Sequence, residues 1–369
     1  MEATDVTTGC IGCTCTTPAA GAVLPGRLLL ATRVDHTATA LRSVAARCGA
    51  DLRVLAPGLL EVEAEGWSVF LDAAGRELTS VEAAEVRCVQ VADGVSGSEL
   101  LAAAMTAPDL AAMVARDRYA DLQDLFAREQ TAFYAEYQPI VDLDGGAVLG
   151  FEALLRAEDA AGALVPPLVL FPAAEAAGWT NLLDRVGRTT ALRDAGGWLG
   201  DRSLFINFIP TSIYRPEVCL RTTERAAVDA GLRLDQLVFE VTESHQIQDL
   251  DHLSAVFDYY RSRGCRVAID DLGAGYSSLD LLVRLQPDVV KLDKDIVQAL
   301  PDAVSLAVVT AVVSITHAYG GQVLAECVET ADQAAAARGL GVDLAQGWYF
   351  GRPTRPQHGA PGRTIREED

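Results

Sequence analysis

Lysine is almost absent: Lys291 and Lys294 are the only two, and arginine carries nearly all other positive charge. Bases are scarce altogether, 30 against 51 acids, leaving a formal net charge of −21 over 369 residues. Binding to a DNA or RNA duplex, or docking on anionic lipid, needs basic patches, and this balance argues against both. A small anionic ligand stays compatible if metal ions and a few local cations offset the field. No apolar run approaches the ~20 residues of a membrane span. Met1-Glu2-Ala3-Thr4-Asp5 lacks the basic start and apolar core of a signal peptide. The expectation is a soluble, cytoplasmic protein without membrane contact. Its eight cysteines would then be reduced, buried or metal-bound rather than paired in disulfides.

Half of the residues are hydrophobic, enough for a sizeable core, and the length accommodates one large and one small domain. Residues 1–24 read as a flexible tail holding Cys10, Cys13 and Cys15. Three thiols at that spacing suit zinc, an iron–sulfur cluster or a redox pair, and incidental cysteines in a bare tail stand beside those readings. Residues 25–95 combine strand-like runs (Arg27–Arg33, Leu59–Ala64, Val86–Val91) with an amphipathic helix over Thr37–Cys48, a small α+β module of regulatory size. Residues 96–131 read as a helical connector, with Pro108 in the first turn of a helix that runs to Gln130.

Over residues 132–356 strand and helix alternate. Candidate strands are Phe133–Val141, Val148–Leu154, Leu204–Phe208, Leu237–Val241, Arg266–Asp270, Val289–Leu292, Gln322–Ala325 and Leu344–Phe350. Helical patterns fall between most of them, notably Leu182–Leu199, Leu250–Arg263 and Ala303–Tyr319. This predicts an α/β fold, a (β/α)8 barrel rather than an open sheet. The first two strands lie too close for a crossover helix, so they should pair antiparallel. Residues 357–369 read as a polar tail.

Polar residues recur near the ends of these strands: Glu152, Asn207, Glu240 and Glu243, Asp270 and Asp271, Lys291, Glu326 and Glu329, and Gln346. Strand C-termini converge on one face of a barrel, where such folds place their sites. Any one of these acids alone reads as a solvated surface group; the same reading repeated at every strand does not hold. Carboxylate and amide oxygens gathered at one mouth suit Mg²⁺ or Mn²⁺, not a soft metal. Asp270 and Asp271 repel each other unless a cation lies between them, and they are the natural pair for a second metal. Oxygen-ligated metals beside a lysine and an arginine point to chemistry on a phosphate ester.

The motifs Tyr137-Gln138-Pro139-Ile140-Val141 and Phe151-Glu152-Ala153-Leu154-Leu155-Arg156, followed in order by the later ones, resemble the EAL-domain family of cyclic-di-GMP phosphodiesterases over roughly residues 133–353. The resemblance implies a modified TIM barrel with an antiparallel first strand, and Mg²⁺- or Mn²⁺-dependent hydrolysis of cyclic di-GMP to linear pGpG. It implies that Glu152, Asn207, Glu240 and Asp270 ligate one metal, and that Asp270 and Asp271 hold another. Lys291 would position or activate water, with Glu326 as a base. Glu326 and Gln346 would orient water. Arg156, Leu154, Gln138 and Gln346 would line the substrate site. Glu243 would brace the loop after Asp271, which in the family links catalysis to a homodimer formed through the barrel. Leu272 stands where the family usually has phenylalanine, and Cys327 where it usually has glycine. The leading expectation is an enzyme regulated by its N-terminal module. The alternative is a non-catalytic cyclic-di-GMP receptor that signals through protein contacts.

Overall fold

A computed structural model describes residues 27–63, 67–92, 94, 95, 97–242, 249–272 and 278–356. These divide into two compact units, residues 27–132 with 158–183, and residues 133–157 with 184–356. Cys10, Cys13, Cys15, Glu243, the loop over 273–277 and the segment 357–369 lie outside the described residues. Among the described residues, no helix is long and apolar enough to cross a membrane.

The first unit holds a four-stranded antiparallel sheet of β1 (Arg27–Ala31), β2 (Asp51–Ala56), β3 (Leu59–Glu63) and β4 (Arg87–Val91), in the order β2-β3-β1-β4. Alternate residues point to opposite faces. Leu28, Leu30, Leu60, Val62 and Cys88 therefore meet Leu41 and Val44 of the helix Asp35–Cys48, and Phe70 and Leu71 of the helix Trp67–Glu77, in one core. The strand β2 and the helices Trp67–Glu77 and Ser80–Glu85 go beyond the elements the sequence pattern suggested. The connector is not one long helix: it breaks into Ser98–Met105, Leu110–Arg118, Ala120–Ala127 and Glu129–Ala132. Pro108 precedes the Asp109 cap, whose carboxylate accepts from Ala112 N at 2.7 Å. A two-residue strand, β7 (Leu164–Val165), and the helix Pro167–Ala176 also belong to this unit.

The second unit is a closed barrel of eight strands. β5 (Phe133–Asp142) and β6 (Val148–Glu158) form an antiparallel hairpin. β8 (Ser203–Asn207), β9 (Leu237–Thr242), β10 (Arg266–Leu272), β11 (Val289–Leu292), β12 (Gln322–Ala325) and β13 (Leu344–Gln346) follow β6 in parallel. β5 runs antiparallel to β13 as well and closes the ring. The fold is the expected barrel with a reversed first strand. The last strand stops at Gln346, short of the Phe350 suggested by the pattern.

One apolar layer fills the barrel interior: Ile140, Phe205, Val238, Ala268, Val289, Leu324 and Leu344. The strand from β6 contributes Gly150 at this level, where an added Cβ would lie 2.8 Å from Ser203 O and 3.3 Å from the Phe205 ring. Gly150 thus leaves the space that Phe205 occupies. Gly150→Ala forces the β6–β8 ladder apart and should cost about 1–3 kcal/mol, read as a fall in the urea midpoint at unchanged slope; an unchanged midpoint would refute this account of the layer.

Candidate active site at the barrel mouth

Strand periodicity places the polar residues. Two positions toward the mouth from the apolar layer, Phe205 gives way to Asn207, Val238 to Glu240, Ala268 to Asp270, Val289 to Lys291 and Leu344 to Gln346. Gly150 gives way to Glu152, and Ile140 to Gln138 on the reversed strand. Leu324 gives way to Glu326, just past the end of β12. A polar layer lies directly on the apolar one.

Lys291 lies at its centre, fully buried, with Nζ 2.7 Å from Glu326, 3.1 Å from Glu240 and Asp270, and 3.8 Å from Glu152. The ammonium is at ion-pair distance from these oxygens but makes no well-angled hydrogen bond with any of them. Asn207 Nδ2 donates to Glu152 at 2.9 Å and to Glu240 at 3.1 Å. Gln346 Nε2 donates to Glu152 at 2.6 Å and to Gln138 at 3.0 Å, and Gln138 Nε2 donates to Gly351 O. The Gln346 carbonyl oxygen is buried without a partner.

Charge in this layer is out of balance: five carboxylates face one ammonium. Burial works against the Glu152 carboxylate, yet Lys291 and the donors Gln346 and Asn207 hold its pKa below the usual value. Burial and the neighbouring carboxylates push Glu240 well above its usual range despite Lys291. Burial and repulsion from Asp270 push Asp271 up to about 6, and burial, with Asp270 and Glu152 adding, takes Glu326 to about 8. Burial alone would lower Lys291, but the four acids around it, Asp270 foremost, raise it well above the usual ammonium value. Crowded, desolvated acids of this kind call for a cation.

Two clusters can hold one. Oxygens of Glu152, Glu240 and Asp270 lie within 4.8 Å of one another, and so do oxygens of Asp270, Asp271 and Glu326. Both are all-oxygen sets, and the free Gln346 oxygen faces the first; the chemistry fits a hard divalent ion. Asp270 belongs to both clusters.

Asp271 reaches the mouth through a bulge. Neighbouring strand residues point to opposite faces, so Asp270 and Asp271 should diverge. Between Ile269 and Leu272 the register against β11 slips, and Asp271 takes a φ of 56°. The extra residue turns Asp271 back toward Asp270 and Glu326.

Cys327, next to Glu326, also has a positive φ, 51°. The backbone here asks for glycine, and a side chain costs about 1–2 kcal/mol. Cys327→Gly should therefore raise stability by about 1 kcal/mol, seen as a higher melting temperature; a lower one would show that the thiol makes compensating contacts. Burial pushes this thiol up to about 11, so it is not a thiolate at neutral pH. Beyond it, a Cβ on Gly347 would lie 2.1 Å from Val328 O, so only glycine lets Gln346 seat beside this turn.

Arg156 pairs with Glu136 at 2.8 Å across the hairpin, and Leu154 is half-buried. A second buried pair was not evident from the sequence. Asp184 Oδ2 accepts from Arg188 Nη2 at 2.8 Å, and Asp184 Oδ1 accepts from Ile209 N at 2.8 Å, two residues beyond Asn207. Arg188 also donates to Thr223. The Asp-x-x-x-Arg spacing was visible, but on a helix it ordinarily marks a surface pair.

Residues 120–353 match the EAL domain family. RocR of Pseudomonas aeruginosa, named a cyclic di-GMP phosphodiesterase, is 32% identical over 237 residues, covering 61% of this chain and 58% of RocR. An uncharacterized protein of Azorhizobium caulinodans is 34% identical over 240 residues, covering 63% of this chain and 32% of its own length. The chain thus spans less than two thirds of the length of these curated relatives. A standalone EAL protein from Vibrio cholerae, solved with c-di-GMP bound, is similar at 32% identity and a TM-score of 0.54, over 60% of this chain and 92% of that one. BlrP1 of Klebsiella pneumoniae, solved as a calcium and cyclic-di-GMP complex, is similar at 26% identity and a TM-score of 0.56, over 89% of this chain and 96% of that one. With the reversed-strand barrel, the polar layer around Lys291 and this match, the chain belongs to the EAL domain family.

Proposed function

We propose that the protein hydrolyses cyclic di-GMP to linear pGpG with two Mg²⁺ or Mn²⁺ ions. Glu152, Asn207, Glu240 and Asp270 would hold one ion, and Asp270 with Asp271 the other. The observation that carries this reading is the sharing of Asp270 between two carboxylate clusters at one mouth. Ions bound there would neutralise the phosphodiester and raise the acidity of an attacking water. Lys291 offers its ammonium to the charge that builds on the phosphoryl oxygens. Glu326, beside Lys291, is placed to take the water's proton as the O–P bond forms and the ribose 3′ P–O bond breaks. Gln346 and Gln138, linked to each other, orient groups on the far side. Arg156 would have to exchange Glu136 for a ligand phosphate.

The relatives named above support the substrate. The small module as regulator, a homodimer through the barrel and a cytoplasmic location belong to the same reading. The test is incubation of the full chain with cyclic di-GMP and Mn²⁺, following pGpG by chromatography, alongside binding in Ca²⁺. Formation of pGpG supports the enzyme; binding without product would sink hydrolysis and favour the receptor.

A further inference from the structure

The four-stranded sheet of the first unit is packed on one face only. Leu28, Leu30, Leu60 and Val62 point into its core, so Leu29, Ala31 and Leu59 point the other way. Over that second face runs the helix Ser98–Met105, which packs against β1 and β4. Its sequence, Ser-Glu-Leu-Leu-Ala-Ala-Ala-Met, is rich in small side chains that cannot fill the gap. β2 is largely exposed. The result is a half-open cavity of about 690 Å³, lined by Leu29, Ala31, Leu59, Leu100 and Ala104 among others.

The ends of this face differ. At one, Arg27 pairs with the buried Glu61 at 2.7 Å and donates to Val95 O at 3.0 Å. At the other, Arg33 and Arg87 line the cavity, both exposed and neither in an ion pair with another described residue. Register puts Arg87 opposite Ala31, two residues before Arg33 on the same face. Glu85 shares this rim, so the local charge is near +1 rather than +2.

We infer that this cavity is a binding site for a small amphipathic monoanion, its apolar body against Leu29, Leu59 and Leu100 and its carboxylate on Arg33 and Arg87. The volume lies within the ~300–1,000 Å³ of small-molecule sites, which are apolar with a few converging polar groups. Guanidinium groups match a carboxylate in shape as well as charge. Glu85 disfavours a multiply charged phosphate. An occupant would press on the start of β4, whose far edge is tied to the connector through Leu110 N to Val86 O at 2.7 Å and Cys88 N to Pro108 O at 2.8 Å.

The test uses the full chain and 8-anilinonaphthalene-1-sulfonate as a fluorescent monoanionic probe, displaced by decanoate or by decyltrimethylammonium, a cation of equal chain length. Two variants accompany it: Ala104→Trp, which fills the cavity, and Arg33→Glu with Arg87→Glu, which reverses its charge without breaking an ion pair. The expected result is saturable binding reversed by decanoate, lost in Ala104→Trp and weakened about tenfold or more by the charge reversal, with melting temperatures unchanged. Equal displacement by the cation, or probe binding indifferent to Ala104→Trp, overturns the proposal. So does a change of oligomeric state in Ala104→Trp by size-exclusion chromatography, which would make this face a contact between copies of the chain.

Discussion

Glu152→Ala should reduce cyclic-di-GMP hydrolysis by more than about 100-fold, the upper end of what losing a mere outer-shell partner of a metal ligand costs. Glu152 is the acid that the surroundings hold ionised: Lys291 and the amides of Asn207 and Gln346 all favour its charged form. It contributes to the cluster with Glu240 and Asp270, where Glu240 is pushed toward its neutral form. Without Glu152 that cluster loses its dependable negative charge, and Asn207 and Gln346 lose their shared acceptor. The check is pGpG formation at saturating Mn²⁺, with manganese binding followed separately by electron paramagnetic resonance. Turnover within a few-fold of the parent would remove Glu152 from the mechanism.

Lys291→Met should lower stability by about 3–5 kcal/mol, or roughly 6–20 °C in melting temperature for a unit of this size. Its side chain is wholly buried, and its ammonium is the only cation within reach of Glu152, Glu240, Asp270 and Glu326 among the described residues. Methionine keeps much of the volume but leaves the acids facing one another. A divalent ion should then restore part of the loss, about 2.7 kcal/mol at a hundredfold excess over its dissociation constant. The same variant should bind cyclic di-GMP in Ca²⁺ much as the parent does while hydrolysing it slowly. A parental melting temperature would mean that Lys291 does not offset these carboxylates, and a parental rate would mean that it takes no part in the reaction.

The barrel was legible because its strands are short, β-branched runs separated by amphipathic helices. Each strand also carries its polar residue two places past an apolar one, as Val238 precedes Glu240 and Val289 precedes Lys291. The reversed first strand followed from chain length alone, since the few residues between β5 and β6 allow only a hairpin. The small sheet was read less completely. β2 is exposed along most of its length, so its Asp51–Ala56 run shows no clean alternation. The connector read as one helix because its apolar pattern continues past Tyr119 and Arg128, where the backbone breaks.

Residue types at strand ends, by themselves, determined that the mouth is acidic, oxygen-rich and served by a single lysine at its centre, because period-two side-chain direction is written into each strand. Tertiary structure alone decided how those groups meet. The β10 bulge and the φ of 56° at Asp271 bring two adjacent aspartates onto one side, against the alternation their sequence implies. The burial of Asp184 and Arg188, which ties the end of β8 in place, depends on what packs over a helix whose i,i+4 pair looks solvent-facing in isolation. The left-handed turn at Cys327 and the uncovered face of the small sheet are of the same kind: both depend on contacts between segments distant in the chain, which no local pattern encodes.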